Sequence, residues 1–233
     1  MAPPRGASTD RPADALVRDD GVVDPFSDEP TELGQTGVLV RIVVGGRRQV
    51  APDAVLRALV ARAASVPSDD VELVHACDEC GARHGRVHVA YPLTASGAHR
   101  YADVAIDGGA IIAATGTRHP LGVAVEPAAA ESGVLIDEAA LHPDERRALR
   151  SLGPDEAALV RATLWARKTA LLRALGHTDF IEPSRLAVSA PNEDGGVGRI
   201  ERGVPEFGSF WRAVSFHDVP VPGPRAASVA ILG

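Results

Sequence analysis

Residues Trp165 to Gly176 read WARKTALLRALG, and this run decides how the rest of the chain is read. Leu164, Trp165, Lys168, Leu171, Leu172 and Leu175 recur at helical spacing, while Ala158, Ala162 and Ala166 add helix propensity. Gly176 stands where a left-handed C-terminal cap would end the helix. One face of this helix is therefore expected in a core. Of the 24 cationic side chains in the protein, Lys168 is the only lysine. An ammonium is a compact point charge on a flexible stem, suited to one phosphate oxygen where a planar guanidinium is too wide. The alternative is a lysine that snorkels at a helix edge.

The surrounding composition sets the frame for that helix. At 233 residues, 45% hydrophobic and 4% aromatic, the chain can fill one large core or two small ones, built from small aliphatic side chains. No run of 18 or more apolar residues occurs, and the first residues lack a signal pattern, so a cytoplasmic protein without membrane contact is expected. Eight of the acids lie in residues 1–35 against Arg5, Arg11 and Arg18, which leaves the remaining chain about neutral. Such a body can hold an arginine-lined anion site but lacks the broad basic field of a nucleic-acid binder.

Read in order, residues 1–36 form an acidic tail expected to be disordered. Val38 to Val44 is a β-branched strand, and a helix follows from Asp53 to Ser65 with Val55, Leu56, Leu59, Val60 and Ala63 as its buried stripe. Arg57 and Arg62 lie outside the stripe, open to an anion. Short strands are expected at 71–74 and 101–106, a hairpin at Asp107-Gly108, and apolar strands at 110–115 and 120–125, the last running into Glu126. Helices from His142 to Leu152 and from Pro154 onward come next, the second carrying WARKTALLRALG. A strand at 183–188 and closing strands within 207–232 complete the pattern. The two halves, 37–119 and 120–233, share a rhythm of strand, helix and hairpin, which suggests a duplicated α+β architecture with a cleft between them.

The segment from His75 to Val89, HACDECGARHGRVHV, has two readings. Cys77, Cys80, His84 and His88 carry CxxC and HxxxH spacings suited to tetrahedral zinc in a small interaction domain. Alternatively, Gly81 and Gly85 form a tight turn that presents backbone N–H groups with His84 and Arg86 to a phosphate.

Five stretches in fixed order carry a resemblance. They are CDECGARHGRV (77–87), VAIDGG (104–109), GVAVE (122–126), WARKTA (165–170) and PGPRAASVAIL (222–232). Together they resemble the 4'-phosphopantetheinyl transferase superfamily in its larger, single-chain form. Its motifs are a CxxCGxxHGxP-like segment, SerHis before a hairpin, a GxDxE strand end and a WxxKEA helix. The resemblance implies an α+β pseudo-twofold pair of subdomains, each a small antiparallel sheet packed on helices, with a cleft between, and hence a monomer. It also implies attack of a carrier-protein serine on the β-phosphate of CoA, with Mg²⁺ on the pyrophosphate and an acyl or peptidyl carrier protein as partner.

By the same resemblance, Glu126 is a metal ligand, and Lys168 and Glu145 are catalytic. Arg57, His84, Arg86 and Arg173 approach the CoA phosphates. The chain departs from the family at several motif positions. Ala124 stands for the first metal Asp, Thr169 for the Glu after the lysine, Ala105 and Ile106 for SerHis, and Val87 for the Pro of HGxP. A methyl group cannot ligate Mg²⁺, so reduced transfer, or a CoA-binding homologue without turnover, is expected. Asp103 and Asp107 are the candidates to replace a missing ligand.

Overall fold

In the computed structural model the described residues are 29–45, 50–75, 81, 87–128, 134–176, 181–191 and 196–233. They form a mixed α+β fold of two antiparallel sheets and four helices. The first sheet holds β1 (Thr31–Glu32), β2 (Leu39–Val44), β3 (Glu72–Val74), β4 (His88–Tyr91), β5 (Arg100–Asp107) and β6 (Ala110–Gly116), in the order β1-β2-β6-β5-β4-β3. The second holds β7 (Leu121–Pro127), β8 (Ala187–Val188), β9 (Gly198–Arg202), β10 (Val214–Val219) and β11 (Arg225–Leu232), in the order β7-β11-β10-β9-β8. Helix α1 spans Pro52–Ala64, α2 Val134–Ala140, α3 Pro143–Leu149 and α4 Pro154–Leu175.

Alternation along the strands explains how these elements stack. On β6, Ile111 and Ala113 meet Val55, Leu56, Leu59 and Val60 of α1, while Ala110, Ile112 and Ala114 point the other way. That opposite face packs against Leu121, Val123 and Val125 of β7 and Val229 and Ile231 of β11. The other face of the second sheet, with Ala124, Phe216 and Ala230, is covered by Leu164, Ala166, Ala170 and Leu171 of α4. The layers therefore run α1, first sheet, second sheet, α4. Small side chains let α4 approach closely. A Cβ at Gly122 would lie 2.2 Å from the Ala170 carbonyl oxygen and 2.5 Å from the Ala174 nitrogen, so only glycine fits there.

Several stretches differ from what their sequence suggests. Thr31–Glu32, assigned by composition to the acidic tail, pairs with Val40 and Leu39 of β2. Leu33 buries beside that pairing, and Glu32 accepts a hydrogen bond from Gly37 N at 3.0 Å, which closes the turn. Residues 183–188 begin as a 3-10 turn at Pro183–Arg185 and extend only over Ala187–Val188. Residues 205–213 are also 3-10 turns, broken by Gly208 at φ +52°, so strand structure starts at Val214. Helix α2 has no counterpart in the sequence reading. No described helix is long and apolar enough to cross a membrane.

Candidate functional site

Two clusters of charge converge on α4, one holding Lys168 and Glu145 and the other Glu126. Lys168 is fully buried, and its Nζ donates to Glu145 Oε2 at 2.6 Å, to the Ala140 carbonyl at 2.9 Å and to the Pro183 carbonyl at 3.0 Å. All three ammonium donors are thus engaged within the protein. Burial pushes the Lys168 ammonium below its ordinary value, against the pull of the Glu145 carboxylate. Glu145 is the N3 residue of a capping box at the start of α3. Its Oε2 accepts from His142 N at 2.8 Å, and its Oε1 accepts from Val188 N at 2.8 Å. This pair therefore joins the end of α2, the start of α3, α4 and the 183–188 segment in the interior.

The second cluster lies at the β7–α4 junction. Glu126, at the end of β7, is half-buried beside the Thr169 side chain. Burial raises its carboxyl above the ordinary range; the nearby Thr169 side chain works against this, and the charge of Asp107 adds to it. Asp107 ends β5 and accepts from Arg225 Nε at 2.8 Å, while Arg225 also donates to the Pro222 carbonyl at 3.0 Å and the Gly108 carbonyl at 3.3 Å. A Cβ at Gly108 would lie 2.2 Å from Arg225 Nη2, so the glycine of the hairpin turn makes room for that guanidinium. A pocket of about 40 Å³ opens beside Glu126, lined also by Trp165, Asp137 and Arg161.

Between the clusters, β5 lies along the edge of β7. Asp103 Oδ2 accepts from Val123 N at 2.8 Å, satisfying a backbone donor at the edge of the second sheet. Arg173 of α4 completes the clamp, with Nε at 2.8 Å from Asp103 Oδ2, Nη2 at 2.5 Å from Oδ1, and a 3.0 Å bond to the Val104 carbonyl. Arg173, expected near a phosphate, thus ties α4 to the first sheet. Arg57 donates to the Val71 carbonyl, and Arg62 pairs with Glu29. His84 and Arg86 lie outside the described residues, as do Cys77 and Cys80, and His88 is exposed on β4.

The junction offers Mg²⁺ a poor donor set. The ion prefers six oxygens in octahedral array and is usually held by one or two carboxylates with phosphate or water. Glu126 supplies one carboxylate and Thr169 a hydroxyl, whereas Asp103 and Asp107 are held by arginines and Ala124 contributes a methyl group. Opposite Ala124 in the β7–β11 register stands Ser228, fully buried, its hydroxyl without a hydrogen-bond partner among the described residues. Among the described residues no cluster of three or more His, Cys, Asp or Glu side chains could hold a metal. No protein-family model matches the chain, and a search of curated proteins found no match.

The arginine clamps escaped the sequence reading because their partners are far apart in the chain. Arg167 shows the same. It is almost fully buried on α4 and forms a fork with Asp218, at 3.0 Å from Nε and 2.5 Å from Nη2, and donates to Ser189 on its carbonyl and hydroxyl oxygens. The only local signal was its place among apolar neighbours on the buried side of the helix.

Proposed function

We propose that this chain is a divergent member of the 4'-phosphopantetheinyl transferase type, two pseudo-twofold halves acting as a cytoplasmic monomer. It binds CoA or a similar anionic nucleotide where β5, β7 and α4 meet and has little capacity to transfer the phosphopantetheine arm to a carrier-protein serine. The observation that carries this reading is the β7–α4 junction, where Glu126 faces Thr169 and its strand neighbour is Ala124. The order of the five motifs supports the family, and the meeting of the VAIDGG, GVAVE and WARKTA stretches at one place supports a common site.

Transfer requires charge stabilisation on the pyrophosphate and a base for the serine proton. Mg²⁺, when bound in such a site, supplies the first. Here Glu126 can accept a proton at its carboxylate, but Thr169 and Ala124 add no negative charge to hold the ion. Losing that stabilisation lowers the rate by about two to three orders of magnitude. The Lys168–Glu145 pair contributes a fixed scaffold beneath the junction and no group to the reacting atoms.

Calorimetric titration with CoA, with and without Mg²⁺, tests the reading together with mass spectrometry of an apo carrier protein. The expected result is saturable CoA binding that changes little with Mg²⁺, and no carrier modification. A carrier mass gain of one phosphopantetheine arm, abolished by EDTA, would show turnover and overturn the inactive reading. Absence of CoA binding would overturn the site itself.

A further inference from the structure

A second cavity, of about 360 Å³, opens between α2, α3 and α4 on the far side of the Asp137–Arg161 pair that also lines the small pocket by Glu126. Its walls carry Arg146, Arg150 and Arg161 against Asp137 and Glu138. The charges are not matched. Arg161 meets Asp137 through Nε alone, at 2.9 and 3.1 Å from the two carboxylate oxygens, and its two Nη groups have no partner among the described residues. Arg146 comes only to 3.8 Å of Glu138, beyond hydrogen-bond reach, and Glu138 is itself more than half exposed. Arg150, the C-cap residue of α3, donates its backbone N–H to the Ala148 carbonyl, but its side chain has no ion pair or hydrogen bond among the described residues.

We infer that this cavity is a binding site for a small phosphate-bearing anion, distinct from the β7–α4 junction. Three guanidinium groups from two helices converge on one concave space with most of their N–H donors unused, and donors so placed suit a tetrahedral dianion with several acceptor oxygens. A flat carboxylate needs no more than one guanidinium, and Asp137 already takes the Nε–H of Arg161, shared between its two oxygens. The volume lies within the range of small-molecule sites, so it admits more than a single phosphate group. Arg146 and Arg150, one helical turn apart on α3, form one wall, and Arg161 on α4 faces them. Arg161 lines both this cavity and the small pocket by Glu126, whereas Arg146 and Arg150 line this cavity alone and belong to no family motif.

The test is calorimetric titration of the full chain with inorganic pyrophosphate at fixed ionic strength, with succinate as a carboxylate control. Saturable pyrophosphate binding is expected, with succinate at least tenfold weaker. In the Arg146→Gln/Arg150→Gln variant the affinity should fall by at least tenfold, the loss of one charge-assisted contact being worth about that factor. Both side chains are at least partly exposed at a helix surface, so the variant should melt within a few degrees of the parent and remain measurable. Unchanged pyrophosphate affinity in the variant, equal binding of succinate, or no binding by the parent chain would each overturn the proposal. Repeating the titration with CoA separates the two sites, because the double variant is expected to retain CoA affinity.

Discussion

Lys168 and Thr169 are neighbours on α4, about 100° apart around the helix, and they end in opposite kinds of surroundings. Lys168 enters a closed interior where every donor has an oxygen partner, and its carboxylate, Glu145, is held by two backbone N–H groups as well. Thr169 meets Glu126 at a half-open junction, where the carboxylate has a neutral side chain and a like charge nearby. Both pairs descend from one short sequence stretch. The first has the completeness of a scaffold and the second the incompleteness of a site. The satisfaction of its donors is what separates the buried lysine from the half-open junction beside it.

The largest expected effect breaks the scaffold pair. Lys168→Ala leaves Glu145 buried without its cation, and Glu145→Ala strands the ammonium along with the Val188 and His142 N–H groups; each should cost about 4 kcal/mol in urea unfolding. The two losses should be strongly non-additive in a double variant. A loss below about 1 kcal/mol for Lys168→Ala would mean the pair is not a scaffold, and the contrast with Glu126 would collapse.

Gly122→Ala comes next and probes the surface that holds α4 in place for both clusters. The new methyl carbon would fall on the Ala170 carbonyl and Ala174 nitrogen, backbone atoms that cannot rotate away. Overpacking of this kind should cost about 3 kcal/mol and lower the melting temperature accordingly. If the substitution is neutral, α4 does not sit as close to β7 as the Glu126–Thr169 contact requires.

Asp103→Asn tests the clamp between β5 and α4 with a smaller effect. Asparagine keeps an acceptor for Val123 N but loses the charge that draws in Arg173, whose side chain is 42% exposed. Solvent screening weakens that ion pair, so a loss of about 1.5 kcal/mol is expected. Pairing it with Arg173→Gln in a double-mutant cycle should recover a coupling of similar size. A coupling near zero would show the clamp to be a surface pair of no consequence.

How much of this could be read from the chain follows from where the information lies. The α1 stripe, the buried strand at β6 and the long α4 helix are periodic over many residues, so spacing alone marks them. The Asp107-Gly108 hairpin is equally local: Asp107 pairs with Ala110 across the turn, and Gly108 and Gly109 take positive φ. The position of Glu126 was legible because it stands at a strand end inside a short motif. The fates of Arg57, Arg173 and Lys168 were not legible. Each depends on an oxygen supplied by a distant segment: Val71 for Arg57, Asp103 for Arg173, and Glu145, Ala140 and Pro183 for Lys168. Sequence shows that a cation is present, and only the fold shows which acceptor reaches it first. The Pro183–Arg185 turn and the 3-10 turns before Val214 went unread for a related reason, since β-branched and aromatic residues nearby suggested strands that proline and a positive-φ glycine break.

The smallest effect concerns Glu126 itself and is read through pH. Its carboxyl is raised in the folded protein, chiefly by burial, so the folded state binds the proton more tightly than the unfolded chain does. The stabilisation linked to that proton is complete below the ordinary carboxylate range and is lost as pH rises through the raised folded value. Glu126→Gln removes this dependence while keeping a polar side chain beside Thr169. The variant should therefore be slightly more stable than the parent at neutral pH, and the difference should shrink toward zero as the pH falls below the ordinary glutamate range. Paired urea titrations across that interval would measure it. A variant less stable than the parent at neutral pH would mean that Glu126 is held as a carboxylate by a favourable partner, which would make the junction as complete as the Lys168 pair and remove the reason for calling it a site.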